Sequence, residues 1–150
     1  MVRGIQSQRV GAAVKHFCCN NKETNRKHSD SRVSERALRE IYLKGFQIIV
    51  KESDPWVIMS AYNIINGHRA SESHELLEGV LRDEWSFGGM VTSDWWTRGE
   101  HYKEILAGND VKMASGYPER VRKALDMGEI KRDDLVRCAK RVLTLIMKVD

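Results

Sequence analysis

The sequence predicts an α/β fold in which parallel β/α units form about half of a TIM-type (β/α)8 barrel. Three observations carry that prediction. Short apolar runs alternate with segments of helical period along the whole chain. Two of those runs spill into polar triplets, Lys15-His16-Phe17 and Ser93-Asp94-Trp95. The chain has 150 residues, whereas a complete barrel takes about 250. Strands separated by helices favour a parallel sheet with right-handed crossovers. A small doubly wound sheet is the alternative, although no glycine-rich phosphate loop supports a nucleotide-binding version.

Gly11-Ala12-Ala13-Val14 follows a polar, helix-compatible opening and reads as a buried strand ending at Lys15-His16-Phe17. Cys18 to Ser31 is a long polar loop, and loops of that length in compact domains are usually functional or disordered. From Val33 to Lys51 the period is helical, with Leu38, Ile41, Tyr42, Gly45 and Ile49 predicted on one face. Pro55 breaks the chain, and Trp56 to Tyr62 is a strand without polar alternation, as expected where both faces are covered. Asn63 to Glu72 is a loop with an Asn66-Gly67 turn. Ser73 caps a predicted helix that runs to about Trp85.

Gly88-Gly89 then turns the chain into the strand Met90-Val91-Thr92-Ser93, ending at Asp94. A helix through Tyr102, Ile105 and Leu106 stops at Gly108. Asn109 to Met113 is a short predicted strand, and Ala114 to Tyr117 a loop. Pro118 opens a helix that stops near Gly128. Asp133 or Asp134 starts a last amphipathic helix through Leu135, Val142, Leu143 and Ile146.

Composition narrows the function classes. The chain is 41% hydrophobic and 31% charged, the balance of a globular domain, and no apolar stretch is long enough to span a bilayer. The net charge of +4 comes from basic residues scattered among acidic ones, as in Ser34-Glu35-Arg36-Ala37-Leu38-Arg39-Glu40. Such mixing marks a solvated helix face rather than a nucleic-acid footprint, which needs a clustered stripe. Three cysteines, Cys18, Cys19 and Cys138, do not make a disulfide framework. With no apolar leader in the first residues, they favour a reducing, cytoplasmic location. The histidines lack metal-ligand spacing, so no metal and no cofactor is expected.

In an α/β barrel the chemistry is built from the C-terminal ends of several strands. Lys15-His16 and Asp94 occupy such ends, and a basic pair with an acid suits a site that grips hydroxyls and attacks with a carboxylate. Other readings stand beside this one. Asp94 can be the N-cap of the next helix, Lys15 a solvated cation, and His16 a core-edge residue.

Read together, these segments resemble glycoside hydrolase family 3 β-glucosidases. Lys15-His16-Phe17 with Asn20, Glu23 and Arg26 resembles that family's KHF-x-x-N-x-x-E-x-x-R segment, and Arg36 to Tyr42 its following helix. Met59 to Asn63, then Asn66-Gly67 and Ser71-Glu72, is similar to the next strand and loop. Leu81 to Gly89, then Val91 to Trp95, is similar to the nucleophile segment, and Ala107 to Asp110 to the strand after it.

The resemblance implies a retaining glycosidase in which Asp94, matching the Asp of the S-D-W motif, is the nucleophile. Such enzymes work by double displacement and hold a second carboxyl group about 5–5.5 Å away as acid/base. It implies that Lys15 and His16 bind sugar hydroxyls and that Arg26 reaches toward sugar and carboxylate. Met59 and Tyr62 would line the pocket if the strand bends there, with the Tyr62 hydroxyl on the nucleophile. Trp95 would offer an apolar wall, and Trp96 beside it departs from the small residue common there. A surface charge at Arg26 and plain packing at Met59, Trp95 and Trp96 remain the alternatives.

Glu23, Glu72 and Glu100 are the acids nearest these loops, and none matches the family's acid/base, which the resemblance places in a second, α/β sandwich domain. The branch that uses a K-H-F-P-G-H-G run is disfavoured, because Cys18-Cys19-Asn20 follows Phe17. The expectation is therefore part of a catalytic barrel domain over residues 1–150, without the sandwich domain. Its substrate would be a β-glucoside or oligosaccharide. Open barrel edges would recruit a second copy or a complementing chain. The isolated chain would have little activity, or would be a non-catalytic remnant.

Overall fold

A computed structural model describes residues 1–114 and 116–150. The chain opens with helix α1 (Val2–Gln6), strand β1 (Ala13–Phe17) and strand β2 (Asp30–Ser31). Helix α2 (Glu35–Ala37) passes through a π-type turn, Leu38–Tyr42, into α3 (Lys44–Ser53). Strand β3 (Val57–Ser60) precedes the hairpin β4 (Ile64–Ile65) and β5 (His68–Arg69), a 3-10 turn at Ala70–Glu72 and a wide π-type helix, Glu75–Glu84. Strand β6 (Met90–Thr92) and helices α4 (His101–Leu106), α5 (Pro118–Asp126) and α6 (Arg132–Val149) complete the order.

The main sheet is parallel in the order β1-β3-β6, with Ala13 opposite Val57 and Val57 opposite Met90. A parallel bridge from Thr92 to Val111 adds a fourth position. Successive β/α units are thus adjacent in space, which is an arc of a TIM-type barrel. A doubly wound sheet would reverse its strand order at a switch point.

The fourth strand is shorter than the sequence predicts. Over Asn109–Met113 only the bridge at Val111 forms, held by Asp110 N and Val111 N on the Val91 carbonyl and by Ser93 N on the Val111 carbonyl. The cause is a side chain that replaces part of the ladder. The Asp110 carboxylate takes the Val91 N–H at 2.8 Å, and its other partners are Arg82 and Arg141, at 2.9 and 3.1 Å. Burial pushes the Asp110 carboxyl above the usual range, and the Val91 N–H and the two guanidinium groups oppose that shift. Arg141 also binds Glu78 at 2.9 Å, so this cluster pins α6 and the Glu75–Glu84 helix to the sheet. Gly108 belongs to it: at φ +93° a side chain is strained, and a Cβ there would run into the Glu78 carboxylate.

The first long helix buries part of the predicted face, Leu38 and Tyr42, and otherwise a different one. Ile41 is 68% exposed, whereas Leu38 and Leu43 are buried, Phe46 packs against the core and Val50 is buried. The π-type turn explains the change. Leu43 N bonds to the Leu38 carbonyl five residues back, at 2.8 Å, so the buried stripe steps by five and then returns to helical spacing. Phe17, the last residue of β1, meets Phe46 edge-on at 5.1 Å and Trp85 at 6.1 Å, which seats the core beneath the ends of the strands.

Ser73 accepts the Leu76 N–H at 3.4 Å, and the helix after it ends at Trp85, as the sequence predicts. Asn66 and Gly67, at φ 49° and 92°, make the predicted turn, but it closes a hairpin of two short strands that was not expected, and β2 joins it in a second small sheet. In α6 the predicted apolar face is only partly covered: Cys138 is buried, while Leu143, Ile146 and Met147 remain exposed.

Candidate functional site

Three consecutive strand ends of the arc converge on one polar centre. β6 ends at Thr92, and Asp94 follows two residues later, only 5% exposed. Its Oδ1 accepts the Trp95 N–H at 2.7 Å, which fixes the carboxylate plane, and its Oδ2 lies 3.4 Å from His16 Nε2 on β1. Ser93 assists from below: its hydroxyl accepts the Met113 N–H at 3.0 Å, tying the turn to the fourth strand position. Lys15, one residue before His16, is exposed on β1. The peptide bonds Lys15–His16 and Phe17–Cys18 are cis, and the β1–β3 register shifts over the same stretch.

β3 ends at Ser60, and the chain then bends at Tyr62. Tyr62 is buried and its hydroxyl donates to the Trp95 carbonyl at 2.5 Å. Burial pushes its phenol above the ordinary tyrosine range, and the Asp94 charge and a hydrogen bond with Asp94 add to the effect. Met59 stays on β3, half-buried and opposite Thr92. Arg26, from the long loop after β1, lays its guanidinium 4.7 Å from the Tyr62 ring centroid and binds Glu23 at 2.8 Å. Trp95 is 45% exposed beside the site.

The structure therefore gathers Asp94, His16, Tyr62, Trp95 and Arg26 through direct contacts, with Lys15 and Met59 on the adjoining strands. Of the three acids singled out near these loops, Glu23 is engaged by Arg26. Glu72 accepts the Glu100 backbone N–H at 2.6 Å, and the Glu100 carboxylate lies 3.7 Å from Arg120. Among the described residues, no group of three or more His, Cys, Asp or Glu side chains is placed to hold a metal ion.

One buried pair escaped the sequence reading. Lys112 Nζ lies 2.7 Å from Glu104 Oε2 and also donates to Thr97 Oγ1 at 3.0 Å and to the Gly99 carbonyl at 2.9 Å. Glu104 accepts Ser71 and Thr97 hydroxyls, both at 2.8 Å. A buried ion pair is sustained only when its remaining hydrogen-bonding groups are also satisfied, and here Ser71 and the loop after Asp94 supply them. The pair anchors Thr97 and Gly99, and through them the segment that carries Asp94. Its only signal in the sequence is a lysine in a predicted strand.

The Glycosyl hydrolase family 3 N terminal domain matches residues 1–145. Beta-glucosidase A of Butyrivibrio fibrisolvens is 64% identical over 135 residues, which is 90% of this chain and 16% of that protein. An Exo-alpha-(1->6)-L-arabinopyranosidase of Bifidobacterium longum is 43% identical over 99% of this chain and 20% of its own length. Among solved structures, beta-glucosidase 3B from Thermotoga neapolitana in complex with alpha-D-glucose superposes with a TM-score of 0.95 at 44% identity, over 98% of this chain and 22% of that one. The chain thus spans less than a quarter of the length of each of these relatives.

Proposed function

The chain belongs to glycosyl hydrolase family 3, and from that premise we propose that it carries the nucleophile half of a retaining β-glucosidase site. Residues 1–150 are on this reading a part of the catalytic barrel domain. Asp94 attacks the anomeric carbon of a β-glucoside. The glycosidic C–O bond breaks, the leaving oxygen takes a proton, and a covalent glycosyl-enzyme forms; water then releases the sugar and restores the carboxylate.

The observation that carries this reading is the setting of Asp94. It is a buried carboxylate at a barrel strand's C-terminal end, oriented by the Trp95 N–H and faced by His16. Lys15, His16 and Arg26 bind sugar hydroxyls, Tyr62 keeps its proton beside the nucleophile, and Met59 and Trp95 give the sugar apolar walls. The acid/base comes from a carboxyl group outside this set, since the carboxylates of Glu23, Glu72 and Glu100 face Arg26, the Glu100 N–H and Arg120. General acid–base help is worth about 10²–10⁴-fold, so glycosides with poor leaving groups react very slowly on this half-site.

Exposure to a 2-fluoroglucoside with a good leaving group, followed by mass spectrometry of peptides, tests the proposal. The expected result is a glycosyl adduct on Asp94 that Asp94→Asn abolishes. An unmodified Asp94 at saturating reagent would favour a non-catalytic remnant.

A further inference from the structure

Cys18 and Cys19 are adjacent, both are free thiols, and the glycosidic mechanism uses neither. They come directly after Phe17, where β1 passes into the loop that carries Arg26. Cys18 is 0% exposed and Cys19 6%, so Cys19 is the more accessible of the two. Cys19 has φ +61°, in the left-handed region, where glycine or asparagine is the usual occupant. Neither that turn nor the core asks for two neighbouring sulfurs.

The two thiols are hydrogen-bond partners, and the bond makes them unequal. The bond to Cys19, with burial, pushes the Cys18 thiol up, while the bond from Cys18 holds the Cys19 thiol below the ordinary cysteine value. The thiolate is the form that reacts with oxidants. Cys19 is therefore the reactive sulfur, and Cys18 is a protonated thiol held against it. The backbone here also matters to the loop. The Cys19 carbonyl accepts the Ser31 hydroxyl at 3.0 Å and the Asn21 N–H at 3.1 Å. Ser31 lies on β2, so this one carbonyl ties together the two ends of the segment that bears Arg26.

We propose that Cys18 and Cys19 are a redox-modification site, which a hydroperoxide closes to a reversible vicinal disulfide that unseats the Arg26 loop. The Cys19 thiolate attacks one peroxide oxygen and the O–O bond breaks. The other oxygen takes up the proton that the thiol released and leaves as water or an alcohol. Cys19 is then a sulfenic acid, and the Cys18 sulfur attacks it. The S–S bond forms, the S–O bond breaks, and water leaves with the Cys18 proton. Two thiols lose two electrons, and one hydroperoxide gains them. Neighbouring Cα atoms are about 3.8 Å apart, short of the roughly 4.4–6.8 Å of ordinary disulfides, so the ring is strained and a small thiol reopens it. Drawing the sulfurs together turns the peptide between them and moves the Cys19 carbonyl off Ser31 and Asn21. The consequence for a sugar rests on the reading of Arg26 as a binding residue; the disulfide itself does not.

The test is mass spectrometry of tryptic peptides from the chain treated with equimolar hydrogen peroxide, with NMR of the same ¹⁵N-labelled samples. Cleavage after Lys15 and Lys22 releases residues 16–22, which hold both sulfurs. That peptide is expected to lose two hydrogens, free thiols to fall from three to one, and dithiothreitol to restore them. Cys138 is the internal control. Burial pushes its thiol up to about 11, which leaves roughly 100-fold less thiolate than an ordinary cysteine, so it should stay reduced. Cys18→Ala should leave Cys19 as a sulfenic acid that dimedone labels, and Cys19→Ala should leave Cys18 unoxidised. The Asn21, Arg26 and Ser31 amide signals should shift on oxidation and return on reduction. Residues 16–22 that keep both thiols in the parent chain, or oxidise no faster than Cys138, overturn the site. Dimedone on Cys18 in the Cys19→Ala chain overturns Cys19 as the attacking sulfur. A disulfide that leaves the Arg26 and Ser31 signals unmoved overturns its hold on the loop. No readout involves a sugar, so the Asp94 reading stands or falls separately.

Discussion

Tyr62 and Asp94 show how one residue sets the chemistry of another. The phenol is buried, donates to the Trp95 carbonyl and sits in the field of the carboxylate, so its ionisation is pushed above the ordinary value of about 10. The group binds its proton more tightly in the folded chain than in the unfolded one. Stability from this source is therefore full below pH about 10 and is lost as pH rises through the raised value. Asp94→Asn removes the charge and leaves the burial, so the Tyr62 midpoint should fall and still remain above that of an exposed tyrosine. An ultraviolet or NMR titration of the two proteins measures it; identical midpoints would show that Asp94 and Tyr62 are not electrostatically coupled. The identities at this scale were legible in the sequence, because Lys15-His16-Phe17 and Ser93-Asp94-Trp95 are contiguous motifs at strand ends. The Lys112–Glu104 pair was not, because its members face each other only after α4 folds back under the loop that follows Asp94.

Among the elements, the segment from Glu35 to Ser53 teaches most. A uniform period of 3.6 would bury Ile41 and expose Leu43, whereas the structure does the reverse through one π-type turn. Truncating a well-packed core leucine costs about 2–5 kcal/mol, while an exposed surface change is usually within about 0.5 kcal/mol. Leu43→Ala should therefore destabilise the chain in a urea titration far more than Ile41→Ala does. Comparable losses would restore the regular register. The turn is not local chemistry: its i+5 bond brings Leu38 and Leu43 into the same core as Phe17 and Trp85. The shortened fourth strand has a similar origin, since the Asp110 carboxylate occupies an N–H that a regular ladder would pair with a carbonyl.

For the whole molecule, the sheet is an arc whose outer strands, β1 and the Val111 position, each have one sheet neighbour among the described residues. Unpaired strand edges template further pairing, and α6 adds exposed Leu143, Ile146 and Met147. We expect the chain in solution to associate, with a second copy or with a chain that supplies further strands. Light scattering across a concentration series checks this, and a strictly monomeric mass at every concentration would refute it. Among the described residues no helix is long and apolar enough to cross a membrane.

By itself the sequence determined the alternation of strands and helices, the strand-end placement of His16 and Asp94, and the family. Those properties live in contiguous residues, in periodicity and in short motifs, and need no knowledge of what packs on what. Only the tertiary structure decided the consecutive strand order that makes a barrel arc, the helix face that is buried, and the anchoring of the Asp94 turn by Tyr62, Lys112 and Glu104. Each of these joins residues distant along the chain, and its free energy exists only once burial has removed water from both partners. Burial turns the Ser71 hydroxyl, the Gly99 carbonyl and the Glu104 carboxylate from solvated groups into obligatory partners, and so sets the geometry around Asp94.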